Sequence, residues 1–331
     1  MLLLSGSVLA ANPPEPYSFK LAHVKLIPGG FFEAIGMVRS ATTVDSINTH
    51  FGVIPLGPST VDALGTVRHS RMYLMGQLPD MGPIHARLYA EADFLNFTAP
   101  QAPFRWRQYW GEVKIGSWEL LGGQSWSLVR PNRVGISSER DMMNTDVIDP
   151  EYHVGLLGAR RRQVRLARSF RQGKVAIAWQ EGGIVVAKYA GDGARLHWEL
   201  GGLVGRNSRS GVMAAAVYKF DRLRIVTQQY WSKRDAAEAM SVVPAGVNGM
   251  ATIEGIEIPV RAKYEVYSYA GLVYAARSAG NRIVREATIG ANRTFGKLLA
   301  SIQLSVMDRS IWPGRSGSMS YVTFRIRYTV N

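Results

Sequence analysis

Tyr321-Val-Thr-Phe-Arg-Ile-Arg-Tyr-Thr-Val-Asn331 closes the chain. Read as an extended segment, Phe324, Ile326, Tyr328 and Val330 fall on one side and Thr323, Arg325, Arg327 and Thr329 on the other, because successive side chains of a strand point to opposite faces. One face is apolar and aromatic, the other cationic. A soluble sheet permits this pattern. A transmembrane barrel requires it, in strands of about ten residues with aromatics near their ends. The rest of the chain decides between the two.

The alternation recurs. Between Pro83 and Phe97, Ile84, Ala86, Leu88, Ala90, Ala92 and Phe94 alternate with His85, Arg87, Tyr89, Glu91 and Asp93, a period of two rather than 3.6. Val67 to Leu78 precedes it, ending at the turn Pro79-Asp-Met-Gly-Pro83. Phe104 to Trp110 leads to a hairpin at Gly116-Ser117 and a return strand from Trp118 to Trp126. Further strands are expected at 161–170, 174–180, 194–200, 212–220, 222–231, 263–275, 283–294 and 298–307. Residues 194–220 read either as two long strands or as three short ones. No convincing helix of about ten residues is present. Long connections stand at 39–64 and 127–158, among tight turns. That asymmetry is expected of short periplasmic turns and longer outer loops. At about 20 residues per strand, connections included, the chain accommodates roughly 16 strands, within the known range.

The expected fold is therefore all-β, a transmembrane antiparallel barrel in one domain over 11–331. The competing reading is a soluble all-β protein that packs its apolar faces inward. Two features favour the membrane. Arginine recurs on the polar faces of strands throughout the chain. Aromatics cluster near strand ends (Trp106, Tyr109, Trp110, Trp118, Trp126, Tyr230, Trp231, Tyr321 and Tyr328), where membrane girdles sit.

Composition sets outer limits. The 331 residues include 39 basic and 25 acidic side chains, a formal charge of +14, and 47% are hydrophobic. No apolar run of about 18 residues offers a helical span. With no cysteine, thiolate metal sites and disulfides are excluded. Residues 1–10 read as the remnant of a secretory signal without its basic n-region, Val8-Leu9-Ala10 being its small-residue end.

Phe104-Arg-Trp-Arg-Gln-Tyr-Trp110 and Trp118-Glu-Leu-Leu-Gly-Gly-Gln-Ser-Trp126 together resemble DcaP-like trimeric outer-membrane porins. The similarity extends more weakly over 67–170 and reappears in 281–290 and in the closing strand. It implies a 16-stranded homotrimeric barrel in a Gram-negative outer membrane, passing small anions such as dicarboxylates. Two departures stand against it: the terminal Tyr-Thr-Val-Asn where porins commonly end in an aromatic, and a middle that reads as shorter.

Alternation places Arg87, Arg105, Arg107, Arg165, Arg195, Arg222, Arg224, Arg325 and Arg327 on the lumenal face. Arginine stays charged and holds carboxylates bidentately, so a positive lumen selects anions. The plainer possibility is a lattice neutralised by Glu91, Asp93, Glu112 and Glu199. The 127–158 connection, with Arg130, Arg133 and Arg140, is a candidate constriction loop; an exposed loop or a protomer contact is the alternative. Enzymatic readings lack support: there is no Gly-x-Ser-x-Gly, P-loop or His-Glu-x-x-His. No histidine has a serine two residues on, and the six histidines are too scattered to suggest a metal. No cofactor is expected. Arginines spread through strands rather than gathered in a patch argue against nucleic acid. A non-transporting barrel or soluble β-domain with a structural or binding role is the alternative function.

Overall fold

Alternate-face patterning becomes eighteen β-strands in the computed structural model, which describes residues 17–43, 51–95, 104–138, 154–155, 158–234, 246–261, 263–276 and 280–330. In chain order they are β1 (Phe19–Leu21), β2 (Val24–Arg39), β3 (Asp62–Thr66), β4 (Arg71–Gln77), β5 (Ile84–Asp93), β6 (Arg105–Ile115), β7 (Trp118–Trp126), β8 (Arg160–Phe170) and β9 (Gly173–Gln180). They continue as β10 (Ile184–Asp192), β11 (Leu196–Gly205), β12 (Arg209–Lys219), β13 (Arg224–Lys233), β14 (Gly249–Arg261), β15 (Tyr264–Ala275), β16 (Gly280–Phe295), β17 (Leu298–Trp312) and β18 (Ser316–Thr329). The expected signal remnant, Arg140 and Asn331 lie outside the described residues.

From β4 onward each strand pairs antiparallel with the next, and β18 pairs with β2 from Tyr321↔Arg39 to Thr329↔Phe31, closing the sheet. One half of β2 pairs with β4 and the other with β3, so β3 and β4 are two pieces of one strand. With those merged and β1 set aside as a flap on one end of β2, sixteen strands encircle the barrel. Closure removes every sheet edge, which a sheet surrounded by lipid demands. The break between β3 and β4 is stitched by Ser70, whose hydroxyl donates to the Val67 carbonyl at 2.7 Å and accepts from the Glu33 amide at 3.0 Å. Opposite it, Gly30 sits at φ +141°, and a Cβ there would lie 2.1 Å from the Arg71 carbonyl oxygen. Only glycine permits that approach.

In β18, Phe324 and Ile326 are 51% and 57% exposed while Thr323 and Arg325 are buried. The same alternation puts Leu88, Leu120, Ile177, Leu200, Val212, Ile256, Ile289 and Leu304 on the outer wall. A continuous apolar exterior is the signature of a barrel facing hydrocarbon, not water. One polar island interrupts it. Glu254 of β14 accepts from Thr227, Gln229 and Thr252, and Arg285 of β16 pairs with Asp308 of β17 at 3.5 Å.

Several expectations need correction. Of the aromatics assigned to girdles, Trp106, Tyr109, Trp118, Trp231 and Tyr328 do face outward, but Trp110, Trp126, Tyr230 and Tyr321 are buried inside. For Trp110 the cause is a β-bulge. The β5–β6 register shifts between Glu91 and Ala92, so Arg107 and Gln108 are both buried and the parity beyond them inverts. Residues 194–220 form two strands, β11 and β12, joined by Asn207 and Ser208 at φ +59° and +57°. Five strands absent from the sequence reading exist: β1, β2, β3, β10 and β14, and β3 falls partly within the connection expected at 39–64. β2 carries Pro28-Gly-Gly30 in its first half, a turn signal overridden by pairing with Met72 to Leu74 of β4.

All the tight turns between β4 and β5, β6 and β7, β8 and β9, and onward by alternate pairs lie on one rim. This short-turn rim is the periplasmic one in barrels of this kind.

Candidate functional site

The bore is where the inward side chains and two connections meet. Ser127 begins the long connection with its amide bonded to the Ala159 carbonyl, 2.9 Å. The chain then runs along the inner wall rather than outward. Lys188 of β10 donates to the Arg130 carbonyl at 2.8 Å, and the Asn132 amide donates to Glu199 of β11 at 3.0 Å. His197 Nε2 lies 2.9 Å from the Asn132 carbonyl, Lys174 of β9 donates to the Ile136 carbonyl at 3.1 Å, and Ser138 donates to Glu112 of β6 at 3.1 Å. Arg133 forms a double hydrogen bond to Glu257 of β14, and further on the Val154 amide donates to Glu286 of β16 at 2.9 Å. Gly271 on β15 admits the Val154 carbonyl, which a Cβ would meet at 1.9 Å.

Apolar contacts reinforce this seating. Leu128, Val129, Ile136 and Val154 are buried in one cluster with the inward Ala178, Val186, Leu203, Ile253 and Val273. Each such side chain removed from water is worth about 1.5–3 kcal/mol. A second segment, around the 3-10 turn Phe51–Val53, also lies inside: Arg309 and Asn281 donate to the Gly52 carbonyl, and Gly317 underlies the Pro55 carbonyl.

The arginines expected on the lumenal face are engaged with carboxylates. Arg105 holds Asp93 bidentately at 2.9 and 2.7 Å, and Arg107 bridges Glu91 at 2.8 Å and Asp93 at 2.7 Å. Arg87 pairs with Glu112 at 2.7 Å, and Arg165 with Glu119 at 3.1 Å. Arg224 contacts Glu257 at 2.6 Å and also Glu265. Arg327 reaches Glu33 at 2.5 Å; Arg325 lies 3.8 Å from it and donates to Ser301 at 3.0 Å. Arg195 and Arg222 depart from the expectation: both sit in exposed turns outside the strands, Arg195 3.4 Å from Asp221. The strand expected to begin at Arg222 starts instead at Arg224, so those two form no rung. In the long connection, Arg130 stacks on Trp126 at 3.9 Å while Arg133 crosses to Glu257. Burial opposes the Arg133 charge, but the Glu257 hydrogen bond and charge outweigh it and hold the guanidinium above its usual pKa.

Carboxylates in this lattice are shared. Glu33 serves Arg325 and Arg327; Glu119 serves Arg165, Lys174 and Lys114; Glu257 serves Arg133 and Arg224; Glu91 serves Arg107 and Arg71. Counted once each, Arg71, Arg105 and Arg107 face Glu91 and Asp93, Arg87, Lys114, Arg165 and Lys174 face Glu112 and Glu119, and Arg325 and Arg327 face Glu33, an excess of cations, whereas Arg133 and Arg224 balance Glu257 and Glu265. Partners that sequence reasoning missed are Glu33, Arg39, Arg71, Glu119, Lys174, Lys188, Glu257 and Glu286. Lys188 was within reach of the period-two test, since Val185, Ala187 and Tyr189 alternate with it. Beside Tyr89 and Trp110, stacked at 5.1 Å, Tyr73 continues a ring stack at 5.5 Å.

No protein-family model matches the chain, and no curated protein matches it by sequence. Solved structures match it by fold. The outer membrane channel DcaP of Acinetobacter baumannii superposes with a TM-score of 0.80 at 15% identity, covering 95% of this chain and 99% of that one. An anion-selective porin from Comamonas acidovorans gives 0.64 at 13%, covering 92% and 99%. The trimer form of OmpT, an outer membrane protein of Vibrio cholerae, gives 0.64 at 11%, with the same coverage. The chain thus has the fold of outer-membrane porins, with DcaP among its neighbours.

Proposed function

We propose that this chain is a porin of the Gram-negative outer membrane, a homotrimer whose aqueous bores favour small anions, dicarboxylates among them. The observation that carries the reading is the excess of cations over carboxylates in three groups, around Glu33, around Glu91 with Asp93, and around Glu112 with Glu119. Such a wall is rigid because its charges are paired, and positive because the pairing is unequal. Lumenal charge of one sign raises the local concentration of the opposite ion and lowers its entry barrier.

The described start of the 127–158 connection, residues 127–138, serves as the constriction: Arg133 and Asn132 fasten it to β14 and β11, so it narrows the bore from within. The anion-selective porin and the trimer form among the structural neighbours agree with selectivity and assembly of this kind. Liposome swelling tests the proposal. Succinate should enter faster than a neutral solute of equal size; equal rates dismiss the anion preference, and no swelling dismisses the channel.

A further inference from the structure

Most of the bore arginines are held by carboxylates, but three cations at the short-turn mouth are not. Arg261 ends β14, Lys263 lies in the following turn, and Lys297 lies in the turn between β16 and β17. All three are exposed, and none has an acidic partner among the described residues. They line one cavity of about 880 Å³, a size that accommodates a small organic ligand. Its one carboxylate, Glu265, is taken by Arg224.

Two hydrogen bonds set the turns side by side: the Thr294 amide to the Lys263 carbonyl and the Thr329 amide to the Lys297 carbonyl, both 2.9 Å. The cavity opens to the bore. Pro259 shares the parity of inward Glu257, Asn292 that of inward Glu286 and Thr288, and Leu299 that of inward Ser301, while beyond Pro259 the register shifts and Arg261 lies at the rim, opposite Tyr264.

We propose that this cavity is a subsite for a di- or tricarboxylate at the periplasmic mouth, with Arg261 as the bidentate clamp and Lys263 and Lys297 as point charges. The inference deepens the anion-porin reading and rests on it. A carboxylate leaving or entering by this mouth supplies the counter-ion the three cations lack, so multivalent anions dwell at one end of the bore. Block by such an anion is then sided.

Citrate is the probe. Titrated calorimetrically into the detergent-solubilised full chain at low ionic strength, it should bind about fivefold more weakly to the triple variant R261S/K263S/K297S, as loss of three partly screened charges implies. Unchanged affinity overturns the subsite. In planar bilayers, citrate should reduce chloride current more from one side in the wild type and equally from both in the triple variant. Since the chain has no cysteine, K297C carries a unique thiol. A maleimide too bulky to cross the bore should react from the side where citrate blocks; reaction from the other side, or wild-type block equal from both, also overturns it. A shared wild-type heat shift on gels certifies the variant fold. Cation preference of the wild type in a salt gradient fails the porin reading separately, whatever the citrate titration gives.

Discussion

Replacing Arg133 by alanine isolates what holds the inner connection in place. Arg133 gives Glu257 a double hydrogen bond, with its side chain 24% exposed and that of Glu257 fully buried. Removing it strands no charge, because Glu257 keeps Arg224 at 2.6 Å and the Tyr269 hydroxyl. The loss is thus that of a charge-assisted pair, about 1.5–3 kcal/mol. That cost falls on docking of the connection rather than on the barrel, whose ladder is untouched. At 1.4 kcal/mol per tenfold, the undocked population rises about ten- to a hundredfold. Single-channel recording reads this as frequent large-conductance excursions in R133A that are rare in the wild type, with the heat-shift midpoint on gels unchanged. R133K, which keeps the charge but loses the fork, should fall between them. Records of R133A indistinguishable from wild type would refute the tether.

Other substitutions probe the remaining parts. R105S/R107S leaves Asp93 and Glu91 without their closest cations, so the chloride-to-potassium permeability ratio should fall; an unchanged ratio rejects their place on the conduction path. Phe324→Arg puts a cation on the outer wall and should destabilise the barrel by about 2–4 kcal/mol near the membrane midplane, measured by denaturant unfolding in lipid vesicles. Equal stability contradicts a lipid-facing β18. Gly30→Ala drives a Cβ to 2.1 Å from the Arg71 carbonyl oxygen, whereas Gly122→Ala meets nothing within 4 Å. The first should lower the yield of folded, heat-modifiable barrel, the second should not, and equal yields remove the close approach at β2 as a constraint.

Legibility in the sequence followed the rule of two. Where alternation was clean, as in β5, β17 and β18, both the strand and its inward face could be read, because the pleat dictates them locally. Where the ladder departs from strict alternation it failed: β2, which runs through Pro28-Gly-Gly30, went unread, and the bulge at Arg107-Gln108 turned Trp110 from girdle to lumen. Arg195 and Arg222 show the same limit at strand ends, since parity says nothing about where pairing stops. The charge lattice was half legible. Arg107 could be placed inward, but its bonds to Glu91 and Asp93 depend on the β5–β6 register, and that of Arg133 to Glu257 on a chain crossing the bore. Such long-range pairings carry no sequence spacing to read.

The central claim is a conducting bore with positive excess. A planar bilayer holding the purified protein across a tenfold potassium chloride gradient tests it most directly. A reversal potential displaced toward the chloride equilibrium value is the predicted result. Displacement toward the potassium value, or a protein that inserts without conducting, contradicts it.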